Sequence, residues 1–546
     1  MPTDGLSRRR LLALAGVAGV GGLAGCSEQS PTTTRRTSTT GTTAGAVAFA
    51  LSDLSTPADV TAGDPFDVSV GVRNRGDVAG ETTVVLELEA YTASKRVALD
   101  PGETERVAFS VPGDLDAQSY ALSVFERESG AEVTGEVVVS EPVPRLENFV
   151  GVEGTQFVVD GERFRFNGAN NDMLARTPRW YVDRVFEEAA ALGLNALRTW
   201  VYAGKCYIGS CAGENTKLIP EPAEDGSDAR ETLPELNETV LERLDYAIYR
   251  ANETGVRLVL PLLSNTDSHT GITDFVRYSA SASDHDDFYT DERCRRFYRT
   301  YVERILTREN TLTGREYRDD PGILLWELVN EPDLLDNDGD TALMDDWIGE
   351  MAAYLKSVDD THPVSTGEIG MYEDSNPDSL EGKNDQGMAF LPNHRHDAID
   401  AATVHMHPSH MGFTVENDAG VERWKPWVAN HARDAREELG KPLYVGEFSA
   451  GDENYTVDRR DGDWERQDER RANRYREIFG EFREHDVDGA LTWTFMIPFD
   501  YATDPVDDPD EWNAGDSVYP RDTHSASALA EYSNAIGARL GHPVPE

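Results

Sequence analysis

The sequence predicts an α/β chain: a (β/α)8 TIM barrel over residues 147–546, preceded by a small all-β sandwich over 46–142. Three observations carry this. From Asn148 onward, eight apolar strand runs alternate with helical segments, the pattern of parallel strands joined by crossover helices. Residues 46–142 instead show short apolar–polar alternation between turn signals, the mark of a sandwich. The first barrel run ends in Asn167-Gly168-Ala169-Asn170-Asn171. That is no glycine-rich phosphate loop, which argues against a doubly wound sheet.

Composition bounds the function. The 546 residues carry 51 basic and 100 acidic side chains, a net charge of −49. Such a charge repels phosphate and excludes nucleic acid as a partner. Acidity is spread along the chain, with Asp-Asp pairs at 286–287, 319–320, 345–346, 359–360 and 507–508, and the basic residues are 44 Arg against 7 Lys. A field of this size destabilises the compact state at low salt. At molar salt the Debye length falls to about 3 Å and the penalty largely disappears. The expectation is adaptation to high salt.

Residues 1–26 read as an address. Ser7-Arg8-Arg9-Arg10-Leu11-Leu12 opens an Ala- and Gly-rich apolar stretch from Leu11 to Gly25. A charged start followed by a short apolar run is a secretion signal, and the paired arginines read as twin-arginine export. The stretch is below the ~18 apolar residues of a spanning helix. Leu23-Ala24-Gly25-Cys26 resembles a lipobox, so Cys26 is the expected lipid anchor. One lipid anchors only marginally. The chain is therefore expected outside the cell, held at the surface or shed, touching membrane only through that lipid. Residues 27–45, with Thr-Thr-Thr at 32–34 and Thr-Ser-Thr-Thr at 37–40, form a linker too polar to bury a core.

The sandwich strands are read at 66–74, 82–89, 105–111, 120–125 and 131–139, with turns at Asn74–Asp77, Pro101–Glu103 and Pro112–Asp114. The segment resembles immunoglobulin-like modules found beside extracellular enzymes. It shows no clustered aromatic platform, so a spacer is expected. Pro142-Val143-Pro144 closes it.

In the barrel, helices are read at 180–192, 237–253, 288–307, 342–357, 424–439 and 466–484. Strands are read at 164–169, 196–201, 257–263, 322–330, 363–367, 401–406, 442–447 and 489–495. Of the remaining cysteines, Cys206 and Cys211 can close a small disulfide loop outside the cytoplasm. A metal pair is the alternative, but no further Cys or His follows at zinc-ligand spacing. Cys294 is then left free on a helix.

Active residues of this architecture sit at the carboxyl ends of the strands. Those ends carry Arg198 and Trp200, Asn265, Asn330 and Glu331, Glu368, His405 and His407, Glu447, and Trp493. Glu331 and Glu447 end strands 4 and 7. Two carboxyl groups across a scissile bond are what glycoside hydrolysis needs, one protonated to donate and one ionised to attack. Their surroundings must push the two pKa values apart. Arg198 can hold one of them ionised. Glu447 is assigned as that nucleophile and Glu331 as the acid/base. Trp326 is expected in the core, and Glu327 in the helix-facing layer with a partner.

Trp-Glu-Leu-Val-Asn-Glu-Pro at 326–332, Arg-Thr-Trp at 198–200, Glu447-Phe448 and Trp-Thr-Phe at 493–495 together resemble glycoside hydrolase family 5. The stretches 287–291, 301–310 and 314–321 resemble its endo-β-1,4-mannanase branch. The resemblance covers about residues 148–500. It implies a retaining double displacement on β-mannan or glucomannan, with the same two glutamates in the same roles. It implies that Asn330 bonds the sugar 2-hydroxyl, that Arg198 bonds the nucleophile, and that His405 contacts the nucleophile region. Trp493 would floor the subsite of the reacting sugar, and Trp200 would line the same cleft. The chain departs from the family at His407, where a tyrosine is usual, so an imidazole would orient the nucleophile. It also departs at Asp333 and at Asn265–His269.

A metal reading comes from His394, His396, His405, His407 and His410, since His-X-His on one strand can bind zinc. In barrel hydrolases of that kind the pair usually ends the first strand, and here it ends the sixth. No metal and no cofactor are therefore expected. The partner is a polysaccharide substrate, and the chain is expected to be a monomer. Two readings stand beside this one: the same chemistry on cellulose or another β-glucan, endo- or exo-acting, and a barrel that binds polysaccharide without cleaving it.

Overall fold

The structure is a computed structural model that describes residues 46–57, 60–61, 65–88, 91–112, 115, 118–140, 146–202, 217–220, 232–265, 270–335, 340–373, 387–407, 418–450, 461–497, 517–520 and 523–540. Cys26, Cys206, Cys211 and His410 lie outside them, as does the linker 27–45. The described residues fall into two compact units, one within Met1–Glu141 and one within Pro142–Glu546.

The first unit is all-β. Its strands are β1 (Phe49–Ser55), β2 (Val60–Thr61), β3 (Phe66–Asn74), β4 (Gly80–Leu88), β5 (Tyr91–Leu99), β6 (Thr104–Val111), β7 (Gln118–Glu126) and β8 (Glu132–Ser140). They form two sheets, ordered β1-β3-β6 and β2-β8-β7-β4-β5. Alternation builds the core: Val68, Val70 and Val72 of one sheet and Leu86, Leu122 and Val124 of the other share one buried cluster. The sequence reading lacks β1, β2 and β5. In β5 the polar residues Ser94, Lys95 and Arg96 interrupt the apolar signal, and only Val97 and Leu99 are fully buried.

The second unit opens with a three-stranded antiparallel sheet, β9 (Gly151–Glu153), β10 (Gln156–Val159) and β11 (Glu162–Phe164). Phe157 of this sheet packs edge-on against Phe166 and Tyr444, plugging the amino-terminal end of the barrel. Eight parallel strands follow: β12 (Phe166–Asn170), β13 (Ala196–Arg198), β14 (Arg257–Pro261), β15 (Ile323–Glu327), β16 (Val364–Ser365), β17 (Ala402–Met406), β18 (Leu443–Phe448) and β19 (Gly489–Thr492). They run in the order β16-β15-β14-β13-β12-β19-β18-β17. The ring closes between β16 and β17 through Ala401 N–H to Val364 C=O and His405 N–H to Ile369 C=O, 2.9 Å for the latter. The predicted first strand at 164–169 is thus two elements, β11 and β12.

Ten helices are described: α1 (Arg179–Ala191), α2 (Glu238–Thr254), α3 (Ile272–Tyr278), α4 (Asp287–Thr290), α5 (Glu292–Leu306), α6 (Thr341–Val358), α7 (Phe390–Arg395), α8 (Asp418–Asp434), α9 (Trp464–Glu484) and α10 (Thr523–Ile536). Caps explain the starts. Asn237 accepts from Thr239 N–H, and Asp291 accepts from Arg293 and Cys294 N–H at 3.0 Å, which satisfies orphan donors of the first turn. Cys294 is a free, buried thiol on α5. None of the described helices is long and apolar enough to cross a membrane.

Candidate active site

The site is assembled on Arg198, whose guanidinium is fully buried at the end of β13. Its fork reaches five acceptor atoms. Nε donates to Glu327 Oε2 at 2.9 Å and to Oε1 at 3.2 Å, and Nη2 donates to Oε2 at 2.7 Å. Nη2 also reaches Asn330 Oδ1 at 2.7 Å. Nη1 donates to Glu447 Oε1 at 2.6 Å and Asn170 Oδ1 at 3.0 Å. One guanidinium therefore ties β12, β13, β15 and β18 together in a fixed plane. Burial pulls the Arg198 pKa down, but the carboxylates of Glu327 and Glu447 outweigh it and hold the charge firmly.

Glu327 corrects the sequence reading. It points into the barrel, not into the helix-facing layer. Trp326 explains why: its indole faces outward and donates to Asp359 Oδ2 at 2.8 Å. Successive strand residues face opposite ways, so Glu327 must face Arg198. Tyr444 closes the cluster from β18, its hydroxyl donating to Glu327 Oε1 at 2.7 Å.

Glu447 is 4% exposed at its side chain. Its second oxygen, Oε2, lies 3.0 Å from His407 Nε2. Burial pushes its pKa up, but His405, Arg198 and the His407 hydrogen bond together hold it well below the usual carboxylate range. The preceding residue has to be small: a Cβ on Gly446 would sit 2.8 Å from His405 Nε2.

Glu331 has a different setting. Its side chain is 30% exposed, and His405 Nδ1 lies 2.8 Å from its Oε1. Its backbone is left-handed, φ 50°, and its N–H donates to Gly367 C=O at 2.8 Å. Gly367 itself has φ 82° and passes so close to Val329 that a Cβ would meet the carbonyl oxygen at 2.2 Å. This strained turn lifts Glu331 out of the strand line into the mouth. Donor atoms of Glu331, Glu447 and His407 all lie within 4.8 Å of one another.

His405 stands between the two carboxylates. It lies 3.8 Å from Glu447 Oε1, in the nucleophile region, and its hydrogen bond goes to Glu331. Asn330 has its amide oxygen engaged by Arg198, which leaves the amide nitrogen as the group it can offer a ligand. Trp493 follows β19 through a hydrogen bond from its N–H to Phe448 C=O, 2.7 Å. Its ring stands perpendicular to His407, centroids 6.2 Å apart, and tilts against Trp200 at 6.0 Å. Trp200 in turn stacks on Tyr202 at 5.1 Å and is only 7% exposed. It backs the aromatic wall from behind Trp493.

The strand ends read from the sequence thus converge, with two exceptions. Asn265 adjoins Asn330 through its backbone, but its side-chain oxygen lies 2.9 Å from His285 Nε2. Glu368 is fully buried away from this cluster, bound by Asn393 Nδ2 at 2.8 Å. Three residues were missed: Asn170, Glu327 as a barrel-interior group, and Tyr444. Strand parity counted from Trp326 was the available signal for Glu327. The histidine cluster also separates: His394 Nδ1 faces Phe390 C=O at 2.8 Å, and His396 faces Asp345 at 2.8 Å. A cavity of about 720 Å3 at the opposite end of the barrel is lined by Arg163, Arg165, Arg257, Asp160 and Glu162 among others, well away from both glutamates.

The chain is similar to known proteins along the barrel. A family model described as GH family 5 beta-mannosidase-like matches residues 147–525. A putative mannan endo-1,4-beta-mannosidase 4 from Arabidopsis thaliana is 33% identical over 335 residues, 58% of this chain and 77% of the relative. The endo-beta-1,4-mannanase of Thermotoga petrophila superposes with TM-score 0.55 at 26% identity, over 71% of this chain and 79% of that one. The endo-1,4-beta-mannanase of Rhizomucor miehei shares the fold with TM-score 0.59 at 24% identity, over 72% of this chain and all of that one.

Proposed function

The chain belongs to glycoside hydrolase family 5, and from that premise we propose that it is a retaining endo-β-1,4-mannanase acting on β-mannan or glucomannan. One observation carries the mechanism: two carboxylates in unlike surroundings, with oxygens within 4.8 Å. Retention uses carboxyl groups about 5–5.5 Å apart, whereas inversion needs about 6.5–9.5 Å to admit a water. Glu447, kept ionised by Arg198 and the two histidines, attacks the anomeric carbon. Glu331, held by His405 and open to the cleft, donates its proton to the departing oxygen. The same group then takes a proton from the water that releases the glycosyl–enzyme ester. Asn330 Nδ2 bonds the sugar 2-hydroxyl, and Trp493 offers its broad ring face to the sugar.

We also propose a lipoprotein exported by the twin-arginine route and anchored at Cys26, with Cys206 and Cys211 of the catalytic domain bridged. The net charge of −49 supports molar salt as its working medium. The sandwich serves as a spacer in this reading.

The test is product release from mannan, glucomannan, cellulose and xylan in molar salt. Wild type, Glu447→Ala and Glu331→Ala run side by side, with anomeric configuration followed by NMR. Mannan oligosaccharides of retained configuration are expected, with each variant slower by about 10³-fold or more. Cleavage of β-glucan alone would remove the mannanase reading and leave the mechanism. A folded wild type that cleaves no polymer would overturn both.

A further inference from the structure

We propose that Glu331, Glu447 and His407 form a binding site for a transition-metal cation of the Zn2+ or Cu2+ class, and that filling it reversibly blocks the active site. The metal is not a cofactor in this proposal. It is an inhibitor that takes the oxygens needed for chemistry.

The geometry supports three donors. One oxygen of each glutamate and a ring nitrogen of His407 lie within 4.8 Å of one another. Zinc bonds of about 2.0–2.2 Å place tetrahedral donors about 3.4 Å apart. Glu447 Oε2 and His407 Nε2 are already 3.0 Å apart. Only Glu331 has to close in, by at most about 1.4 Å on the same tetrahedral geometry. Its side chain is 30% exposed and hydrogen-bonded through Oε1, so that swing crosses no packed core. With three protein donors, a water would complete a four-coordinate shell.

The surroundings are those of a supported metal site. Ligating carboxylates are usually held from behind by hydrogen bonds. Here Glu331 Oε1 is held by His405 Nδ1 at 2.8 Å and Glu447 Oε1 by Arg198 Nη1 at 2.6 Å. Each carboxylate therefore has its other oxygen to offer. Charge favours a cation as well, because Glu327 and Glu447 outnumber the single guanidinium of Arg198 that they share. Two carboxylates and an imidazole suit Zn2+ and Cu2+, whereas Mg2+ and Ca2+ prefer all-oxygen shells.

His405 is not a fourth ligand. Its ring is perpendicular to that of His407 with centroids 6.5 Å apart. It orients Glu331. The metal-binding histidine is thus one member of the His-X-His pair, joined to the glutamates of two other strands.

Metal binding stands independently of the mannanase reading, and the inhibition rests on it. Two measurements keep them apart. Equilibrium dialysis of the full chain against Zn2+ in molar sodium sulfate measures the site itself. Wild type should hold one more tight equivalent than Glu331→Gln or His407→Gln, each of which should weaken that equivalent tenfold or more. His407→Gln keeps an N–H for Glu447 but offers no imidazole. The second measurement is hydrolysis of mannan with and without Zn2+. Inhibition of wild type should be competitive, relieved by a chelator, and weakened at least tenfold in His407→Gln relative to that variant's own metal-free rate. Equal Zn2+ binding by wild type and both variants would overturn the proposal, whatever the hydrolysis shows. Wild-type binding with no hydrolysis of mannan would uphold the site and overturn the functional reading.

Discussion

The ends of β18 and β16 each carry a glutamate enclosed by protein, and the two prefer opposite charge states. Glu447 follows β18 into contact with Arg198 at 2.6 Å and His407 at 3.0 Å, and its pKa is held low against its burial. Glu368, just past β16, meets no cation among the described residues. Asn393 donates to it at 2.8 Å, and His394 approaches at 3.5 Å. That imidazole is committed elsewhere: Nδ1 faces Phe390 C=O and Nε2 accepts from Thr403 N–H. Burial pushes the His394 pKa down to about 3, so it stays neutral. Burial likewise pushes Glu368 up to about 8, against the one lowering contact from Asn393. Burial alone therefore does not make a reactive carboxylate. The number of cations delivered to it decides, and the barrel delivers them to strand 7.

The sharpest way to break the contrast is Arg198→Met. Two buried carboxylates, Glu327 and Glu447, lose their shared cation. Removing one partner of a buried ion pair costs about 3–5 kcal/mol. Denaturant unfolding in molar salt should show that loss, with hydrolysis reduced by at least about 10²-fold. Stability unchanged within 1 kcal/mol would mean that the guanidinium does not organise the mouth.

The opposite end of the contrast is Glu368→Gln, which should stabilise. The folded carboxyl keeps its proton up to about pH 8, whereas the unfolded chain releases it near 4.5. Its contribution is full below pH 4.5 and is lost as pH rises toward 8, at about 1.4 kcal/mol per unit. The variant should be more stable at pH 7 by about 3 kcal/mol, with the advantage shrinking toward pH 5. Glu447 has the reverse sign. Its contribution is present above 4.5 and is lost in acid, below its depressed folded pKa. Unfolding curves at whole pH steps from about 2 to about 8 for wild type, Glu368→Gln and Glu447→Gln separate the two slopes, the first falling above 4.5 and the second below it. Parallel pH profiles for wild type and Glu368→Gln would sink the neutral-acid reading.

Strands such as β14, β15 and β18 were legible because each is a buried, largely apolar run, whereas β12, Phe-Asn-Gly-Ala-Asn, and the two-residue β16 carry little apolar signal of their own. Glu331 and Glu447 were legible because a strand end is where a polar residue interrupts such a run. What was hidden depended on direction and on distance in the sequence. Glu327 needed the outward orientation of Trp326. Tyr444 looked like one more apolar strand residue, though its hydroxyl meets a carboxylate 117 residues away. Glu368 ends a strand as Glu447 does, and only three-dimensional packing shows that no guanidinium reaches it. The short helices α3 and α7 carry too few turns for a periodic signal, and β5 hides behind its outward charges.

Tyr444→Phe is the smallest change and probes the link between the two layers of the mouth. Burial and the adjacent Glu327 hold this phenol well above its ordinary pKa, so it stays a donor. The substitution removes the 2.7 Å bond to Glu327 Oε1 and leaves the ring in the core. A hydrogen bond to a charged acceptor is worth about 1.5–3 kcal/mol, and the loss should fall near the lower end because Arg198 still holds both Glu327 oxygens. If Tyr444 steadies Arg198 through Glu327, kcat should fall about threefold to tenfold with KM nearly unchanged, since the affected contact is to the nucleophile. The same variant should leave the Glu368 pH slope untouched, because Tyr444 and Glu368 share no partner. A lower stability with unaltered kcat would make Tyr444 a core residue only. It would place the whole burden of orienting Glu447 on Arg198 and His407.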